Sequence, residues 1–265
     1  MTIGTLERTQ VVEKLCDEPR EAWMSAEVLE QVRTNNEKRD SEGVVVLLSG
    51  GIDSTVLMYS LVGDYRVWPL TVDYGQRHSK EVFAARNVCE ARGSWLLHRW
   101  KYLDLGNLRG ILPSALTGVG DVPEGKYDEV TMSKTVVPNR NAILLSLAYG
   151  YAMGIGAHFV AYAPHSEDHF VYRDCRPEFF TKFAEAEEAA TGIKLLVPFG
   201  RKTKVDIIKL GRQLVVPFRM CYSCYAGGDV HCGKCSTCVE RREAFKKAGV
   251  TDPTIYEGGN SDGSS

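Results

Sequence analysis

The stretch that decides the fold is VVVLLSGGIDSTVL, residues 44 to 57. Its run of apolar residues from Val44 to Leu48 predicts a strand that is buried on both faces, as in a parallel sheet. Two glycines then permit a tight, exposed turn, and Asp53 and Ser54 begin a helix that runs to about Leu61. A buried strand, a glycine turn and a helix in direct succession are typical of an α/β protein.

The turn has the composition of an anion-binding loop. Backbone N–H groups between Ser49 and Ser54 would converge on one point, with the helix dipole behind them and two hydroxyls as further donors. The loop lacks the lysine of a Walker A motif and does not fit G-x-G-x-x-G. An ordinary strand–turn–helix corner capped by Asp53 is the alternative. The full pattern Ser-Gly-Gly-x-Asp-Ser resembles the signature of the PP-loop ATP pyrophosphatases, which split ATP between its α and β phosphates.

The alternation of strands and helices continues along the chain. Apolar composition predicts further strands at residues 66–72, 95–100 and 158–163. Helices are predicted at residues 80–92, 141–153, 178–190 and 204–214. We therefore expect an α/β fold with a Rossmann-like parallel sheet and helices on both faces. Ligands bind beyond the carboxyl ends of such strands, which selects Ser49–Ser54, Asp73–His78 and Pro164–Arg176.

The two ends of the chain differ from this body. Residues 1–42 predict an N-terminal arm, partly helical or disordered, in which a docking or dimer helix is as plausible as a loose extension. We expect a PP-loop ATP-binding catalytic domain at residues 43–218 and a small zinc-binding segment with a C-terminal helix at residues 219–257. The low-complexity tail, residues 258–265, predicts disorder.

Composition excludes several classes of protein. The 265 residues are 44% hydrophobic, which is enough for one large core, and the formal charge of -2 gives no basic excess for nucleic acid. The N-terminus has no apolar signal region, and glycines interrupt the apolar residues 142–163, which favours a buried helix, a turn and a strand over a membrane span. We expect a cytoplasmic protein without nucleic-acid or membrane partners.

Charged residues stand at several predicted strand ends and helix starts. Gly75 permits a turn above which Arg77 could clamp a carboxylate or phosphate, although a solvated turn is the alternative. Arg140 would lie at the positive end of the helix that follows Pro138, an unusual place for a cation unless an anion binds there. Lys204 also begins a predicted helix, and most such lysines are merely solvated.

Five of the eight cysteines lie in CYSCYAGGDVHCGKCSTC, residues 221–238. Cys232, Cys235 and Cys238 have the spacing that begins an iron–sulfur motif, but the next position of that motif is arginine here. The fourth ligand must therefore come from upstream. Cys224 is favoured because the glycines that follow it can bend freely, and Cys221 and His231 are the alternatives. Four thiolates indicate a closed structural zinc site, which leaves no position for substrate.

Several motifs together resemble one family, the 7-cyano-7-deazaguanine synthases, which are PP-loop ligases of queuosine precursor biosynthesis. They are SGGIDS, DYGQRH, SALT, VVPNRN, DCRPEFF, the TK at 203–204, and SCYAGGDVHCGKCSTC followed by ERREAFKKAGVTDPTIY, so the resemblance covers about residues 44–257. It implies that ATP activates the carboxylate of 7-carboxy-7-deazaguanine. Ammonia then gives an amide, which a second activation dehydrates to the nitrile.

The resemblance also implies roles for particular residues and a homodimer. ATP would bind at Leu48, Ser49, Gly50, Gly51, Ile52, Asp53, Ser54, Thr55, Val56, Leu57 and Met58, with Mg²⁺ beside the phosphates. The catalytic residues would be Asp53, Arg140 and Lys204. The deazaguanine would contact Gln76, Arg77, His78, Asp168, Asp174 and Arg176. Zn²⁺ would bind to Cys224, Cys232, Cys235 and Cys238, whereas Cys221 occupies a position that is usually threonine in the family.

The sequence departs from the family pattern in the expected substrate pocket. Arg173 stands where proline is common, and Ala163-Pro164 replaces Gly-Val or Gly-Ala. The alternatives are therefore a paralogue that activates a related deazapurine or another acid for a different acceptor, and a tRNA-modifying PP-loop enzyme. A zinc-ribbon nucleic-acid module is the alternative outside enzymes, but it leaves SGGIDS unexplained.

Overall fold

The computed structural model describes residues 42–125 and 132–258. The predicted arm up to residue 41, residues 126–131 and residues 259–265 of the predicted tail lie outside the described residues. The predicted domain limits therefore stay predictions.

A parallel sheet forms the centre of the molecule, as predicted. Its strands are β1 (Gly43–Leu47), β2 (Arg66–Asp73), β3 (Lys101–Asp104), β4 (Phe159–Ala161) and β5 (Lys194–Leu196). They lie in the order β3-β2-β1-β4-β5, and every pair is parallel. The central strand β1 is buried from Gly43 to Val46, with Val44, Val45 and Val46 fully inaccessible to solvent. The continuous apolar run predicts this strand because both of its faces are covered.

Seven α-helices connect and cover the described strands. They are α1 (Ile52–Leu61), α2 (Lys80–Arg92), α3 (Ser94–Arg99), α4 (Arg140–Ile155), α5 (Pro177–Thr191), α6 (Lys204–Gln213) and α7 (Ser236–Ala248). Val44 and Val46 point into a core shared with α1, α2, α3, α6 and α7. Val45 points to the other face, which packs against α4 and α5. The prediction of helices on both faces is confirmed.

One predicted strand is wrong. Residues 95–100 lie largely in helix α3, and the strand β3 follows at Lys101–Asp104. Gly93 has φ 147°, a conformation that suits glycine and lets a short helix begin directly after α2. Only Leu96 of α3 is buried, whereas Lys101, Tyr102 and Asp104 of the edge strand are exposed. An edge strand of this kind lacks the apolar run that predicts a central strand.

The apolar stretch at residues 142–163 forms most of helix α4 and the whole of strand β4. Helix α4 ends at Ile155, Gly156 follows it with φ 68°, and β4 begins at Phe159. The predicted helix, turn and strand are therefore present. Among the described residues, no helix is both long enough and apolar enough to cross a membrane.

The sheet topology places the site. From β1 the chain moves outward through β2 to β3, and then returns to the other side of β1 with β4. The strands β1 and β4 are therefore neighbours whose outgoing connections separate, and this switch point leaves a crevice beyond their carboxyl ends. Short 3-10 helices line the loops around it, at Gly106–Gly110, Ala115–Thr117, Ser133–Thr135, Ser166–Asp168, Arg173–Cys175 and Phe218–Met220.

Candidate active site

A cavity of about 240 Å³ opens at the carboxyl ends of β1, β2 and β4. All three predicted strand-end segments contribute to its wall, and the C-terminal part of the chain closes it with Tyr222, Ser223, Tyr225 and residues of α7. The predicted ATP-binding residues do not all face it. Leu48, Ser49, Gly51, Ile52, Asp53 and Ser54 line the cavity, whereas Val56, Leu57 and Met58 pack into the core behind it.

Gly50 gives the loop after β1 its shape. It adopts φ 89°, and a Cβ at this position would lie 2.3 Å from the carbonyl oxygen of Glu81 in α2. On its other side, the Gly50 carbonyl accepts a hydrogen bond of 3.0 Å from the Tyr222 backbone N–H. Only glycine fits here, because the loop is held between helix α2 and the C-terminal segment.

The loop hydroxyls form a small network. Ser49 Oγ lies 3.0 Å from Ser54 Oγ and accepts a bond of 3.1 Å from the Gly51 N–H. Helix α1 has Gly51 as its N-cap and no capping side chain. The alternative of a corner capped by Asp53 is therefore wrong, and the carboxylate of Asp53 is available for other contacts.

Asp53 pairs with Lys204. Lys204 Nζ lies 2.6 Å from Asp53 Oδ2, 3.6 Å from Glu240 Oε2 and 3.5 Å from His165 Nε2. The alternative of a merely solvated lysine is wrong, since Lys204 is buried and lines the cavity. A capping box between Thr203 and Asp206 fixes the first turn of α6, and with it the place of Lys204.

The charges in this cluster stabilise one another. Burial alone would raise the pKa of Asp53, but the charges of Lys204 and His165 hold it below its ordinary value. Burial alone would lower the pKa of Lys204, and Asp53 and Glu240 hold it above its ordinary value instead. Burial raises the pKa of Glu240. The site therefore presents one fixed cation among carboxylates directly beside the loop after β1.

Arg140 supplies a second cation to the cavity. It is the first residue of α4, its guanidinium lies 5.9 Å from the centre of the Tyr74 ring, and its Nη1 donates to the Tyr74 hydroxyl at 3.4 Å. Asp174 Oδ2 accepts a bond of 3.0 Å from the Asn141 N–H, so a carboxylate caps this helix.

The six predicted deazaguanine contacts divide into two groups. Gln76, His78 and Asp168 line the cavity. The other three, Arg77, Asp174 and Arg176, lie outside its lining. Arg77 is exposed and donates to the Gly120 carbonyl at 2.9 Å, and Arg176 is exposed and donates to the His169 carbonyl at 2.7 Å. The structure therefore brings only the first group together around the cavity.

The four predicted cysteine ligands form one group. The sulfur atoms of Cys224, Cys232, Cys235 and Cys238 lie within 4.8 Å of one another, an arrangement that could hold a metal ion. Backbone N–H groups support two of these sulfurs, with Cys232 N–H donating to Cys224 Sγ and Cys235 N–H donating to Cys232 Sγ, both at 3.3 Å.

The two alternative ligands lie elsewhere. Cys221 is buried in the main core, where burial raises the pKa of its thiol to about 11. His231 Nε2 accepts a bond of 3.1 Å from the Ser223 N–H, and the ring packs 4.8 Å from that of Tyr222. Neither side chain belongs to the four-sulfur group.

Comparison with known proteins agrees with this arrangement. Residues 43–249 match the family model described as "Queuosine biosynthesis protein QueC". The chain belongs to this family. It is 46% identical over 219 residues to the 7-cyano-7-deazaguanine synthase of Brucella anthropi, which covers 80% of this chain and 93% of that protein. It is 47% identical over 220 residues to the protein of the same name from Allorhizobium ampelinum, covering 81% of this chain and 92% of that protein.

Two solved structures are more distantly similar. An NMN synthetase from Francisella tularensis aligns with a TM-score of 0.48 and 16% identity, over 94% of this chain and 83% of that chain. An NH3-dependent NAD synthetase from Campylobacter jejuni aligns with a TM-score of 0.45 and 15% identity, over 80% of this chain and 76% of that chain. At this distance neither indicates anything about activity.

Several cavity residues of this QueC family member escaped prediction. They include the tyrosines and charged residues Tyr74, Glu81, Tyr162, Tyr172, Tyr222, Tyr225, Glu240 and Arg241. Glu240 and Arg241 had one usable signal, since they follow Cys238 closely on an expected helix. Arg241 is completely buried and donates to the Phe218 carbonyl at 3.0 Å. It therefore ties α7 to the segment whose Tyr222 N–H bonds Gly50.

Proposed function

We propose that the protein converts 7-carboxy-7-deazaguanine and ammonia to 7-cyano-7-deazaguanine with consumption of ATP. The observation that carries the proposal is the buried Lys204–Asp53 pair beside the loop after β1, in a cavity at the switch point of the sheet. The relatives from Brucella anthropi and Allorhizobium ampelinum, which match over 93% and 92% of their length, are named 7-cyano-7-deazaguanine synthase. The function that the resemblance implied is therefore the one that the site supports best.

The chemistry begins with a poor electrophile. A carboxylate resists attack by ammonia, and its oxygen must first bond to the α phosphorus of ATP while pyrophosphate leaves. Negative charge then builds up on the phosphates, and fixed donors and cations lower its cost. We assign the donors to Ser49, Gly51 and Ser54 of the loop, and the cations to Lys204 and Arg140, which both line the cavity.

The same site serves the second activation. The amide oxygen attacks the α phosphorus of a second ATP and displaces pyrophosphate, and loss of AMP and of the two protons on nitrogen then leaves the nitrile. The wall of the cavity suits a flat, guanine-like ring, because Tyr74, Tyr172 and Tyr225 offer aromatic faces. Gln76 and Asp168 provide acceptors for its N–H groups. Asp174 contributes indirectly through its cap on the helix that bears Arg140.

Two metal ions fit the residues present. Asp53 Oδ1 is buried without a hydrogen-bond partner among the described residues, and a free carboxylate oxygen beside phosphates suits Mg²⁺. Four clustered thiolates suit Zn²⁺ in a closed tetrahedral site, which would hold the start of α7 in place. We assign no catalytic step to the Zn²⁺. We also propose a homodimer, which light scattering would test, and the cytoplasmic location that the composition predicts.

The activity has a direct test. The purified protein is mixed with ATP, Mg²⁺, ammonium and 7-carboxy-7-deazaguanine, and the products are identified by mass spectrometry. We expect the amide as an intermediate, the nitrile as the product, and AMP and pyrophosphate from each ATP. A reaction without the deazaguanine acid is the control. ATP turnover that depends on the acid but gives neither amide nor nitrile would show that the acceptor is a different one.

A further inference from the structure

A second buried acid–base pair, His78 and Glu81, lines the cavity beside the loop after β1. His78 Nε2 lies 3.3 Å from Glu81 Oε2, and the two side chains are only 3% and 14% exposed. The turn that opens α2 sets this geometry, because the Glu81 N–H donates to the His78 carbonyl at 2.9 Å. The pair is therefore held by backbone as well as side-chain contacts.

Only one nitrogen of the His78 imidazole, Nε2, contacts Glu81. If Nε2–H donates to the carboxylate of Glu81, Nδ1 keeps a lone pair. His78 Nδ1 is buried and has no hydrogen-bond partner among the described residues. An unsatisfied buried acceptor is costly, so its presence in a cavity wall indicates a ligand that donates to it.

Tyrosines surround the pair. Tyr74, Tyr222 and Tyr225 line the same cavity as His78 and Glu81, and the Tyr225 ring centre lies 5.2 Å from that of His78. Burial raises the pKa of Tyr74, and the negative charge of Glu81 adds to this effect against the charge of Arg140. A carboxylate among aromatic rings is a favourable place for a small cation, since the ring faces are electron-rich.

The pair also flanks the loop that would hold the phosphates. The Glu81 carbonyl is the atom that a Cβ on Gly50 would strike, at 2.3 Å. Because His78 and Glu81 line the same cavity as Ser49 and Gly51 of this loop, a group released from them would reach the activated carboxylate. The other carboxylates of the cavity have other contacts, because Asp53 and Glu240 face the ammonium of Lys204 and Asp168 Oδ2 accepts a bond of 3.2 Å from the His165 N–H.

We propose that Glu81 and His78 form the site that takes an ammonium ion and delivers ammonia to the activated carboxylate. This inference rests on the proposed function. Ammonium loses one proton to His78 Nδ1, and the freed lone pair attacks the carbonyl carbon of the acyl adenylate. A C–N bond forms, and the C–O bond to AMP breaks with the electron pair on AMP. The nitrogen loses its excess proton to water, and His78 returns its own proton to solvent.

The first test separates the ammonia step from the activation step. Glu81→Gln keeps the shape of the side chain but removes its charge. We expect the KM for ammonium to rise by about tenfold or more, the scale of losing a hydrogen bond to a charged group. ATP–pyrophosphate exchange with 7-carboxy-7-deazaguanine and no ammonium is expected to stay within about twofold of the wild type, since it needs no ammonia. Glu90→Gln, an exposed residue on the same helix, is the matched control and should change neither quantity.

The second test concerns the proton. His78→Asn is expected to lower the rate of amide formation at saturating ammonium by about a hundredfold, the lower range for loss of a general base, and to lower exchange far less. An unchanged KM for ammonium in Glu81→Gln, or a parallel loss of exchange and amide formation in both variants, would overturn the proposal. A wild-type protein that shows no exchange, or exchange without amide, would contradict the proposed function itself and this inference with it.

Discussion

Lys204 is a cation at the positive end of a helix, a place that a helix dipole disfavours. Three carboxylates offset this unfavourable interaction. Asp53 and Glu240 face its ammonium, and Glu167 Oε2 accepts a bond of 2.7 Å from its backbone N–H. Asp53 and Lys204 are 151 positions apart in the chain. Their pairing is therefore a product of the fold, and the sequence motifs predicted each residue without predicting the contact.

The pair has a consequence for stability. Lys204→Met leaves Asp53 as a buried carboxylate without its main partner, and we expect a loss of about 1–3 kcal/mol in the free energy of unfolding. Urea denaturation at neutral pH measures this loss. Lys182→Met is the matched control, because Lys182 forms only an exposed pair with Glu178 and should change stability little.

The pH dependence of this difference follows from the two pKa shifts. The lowered pKa of Asp53 gives stability that is present above the ordinary value of 3.8 and is lost as pH falls through the folded-state value. The raised pKa of Lys204 gives stability that is lost only as pH rises above 10.5. The gap between wild type and Lys204→Met should therefore be constant from about pH 5 to 9 and shrink below about pH 4. A gap that grows in acid would contradict the pairing.

The central elements of the sheet could be predicted and its edges could not. Strand β1 is buried on both faces, so composition alone identifies it. Strands β3 and β5 lie at the two edges and have four and three residues, too few to show a periodicity. The apolar residues before β3 fit a strand or a short helix equally well. The backbone conformation of Gly93 lets a helix begin at Ser94. Local composition does not predict the secondary structure of a segment that packs against its neighbours along only part of its length.

The cysteine group acts on an element, since Cys235 and Cys238 lie at the N-cap and in the first turn of α7. We expect about one tightly held zinc per chain, by elemental analysis, and its loss in Cys224→Ala. Because α7 carries Glu240 and Arg241 to the cavity, the same variant should also lose ATP–pyrophosphate exchange. Cys221→Ala is the control and should keep its zinc, because Cys221 lies outside the sulfur group. The reverse pattern would refute this choice of ligands.

The whole site joins distant parts of the chain around β1. The Tyr222 N–H donates a hydrogen bond to Gly50 in the loop after this strand. Arg241 of α7 donates to the Phe218 carbonyl, in the segment that leads to Tyr222. Contiguous motifs such as SGGIDS could be read from the sequence because a local turn and a local helix define them. The tyrosine wall and the His78–Glu81 pair could not, because their roles depend on which residues the fold places opposite them.

The first 41 residues are predicted to be dispensable for folding and for ATP activation. The cavity is lined by residues between 47 and 241, and the family match begins at residue 43. A chain that begins at Glu42 should therefore keep both its cooperative thermal transition and ATP–pyrophosphate exchange. The control begins at Ser49 and lacks β1, which pairs with both β2 and β4. Loss of that strand splits the sheet at its centre, so no cooperative transition is expected. Loss of exchange in the chain that begins at Glu42, with its thermal transition intact, would instead place part of the active site in the first 41 residues.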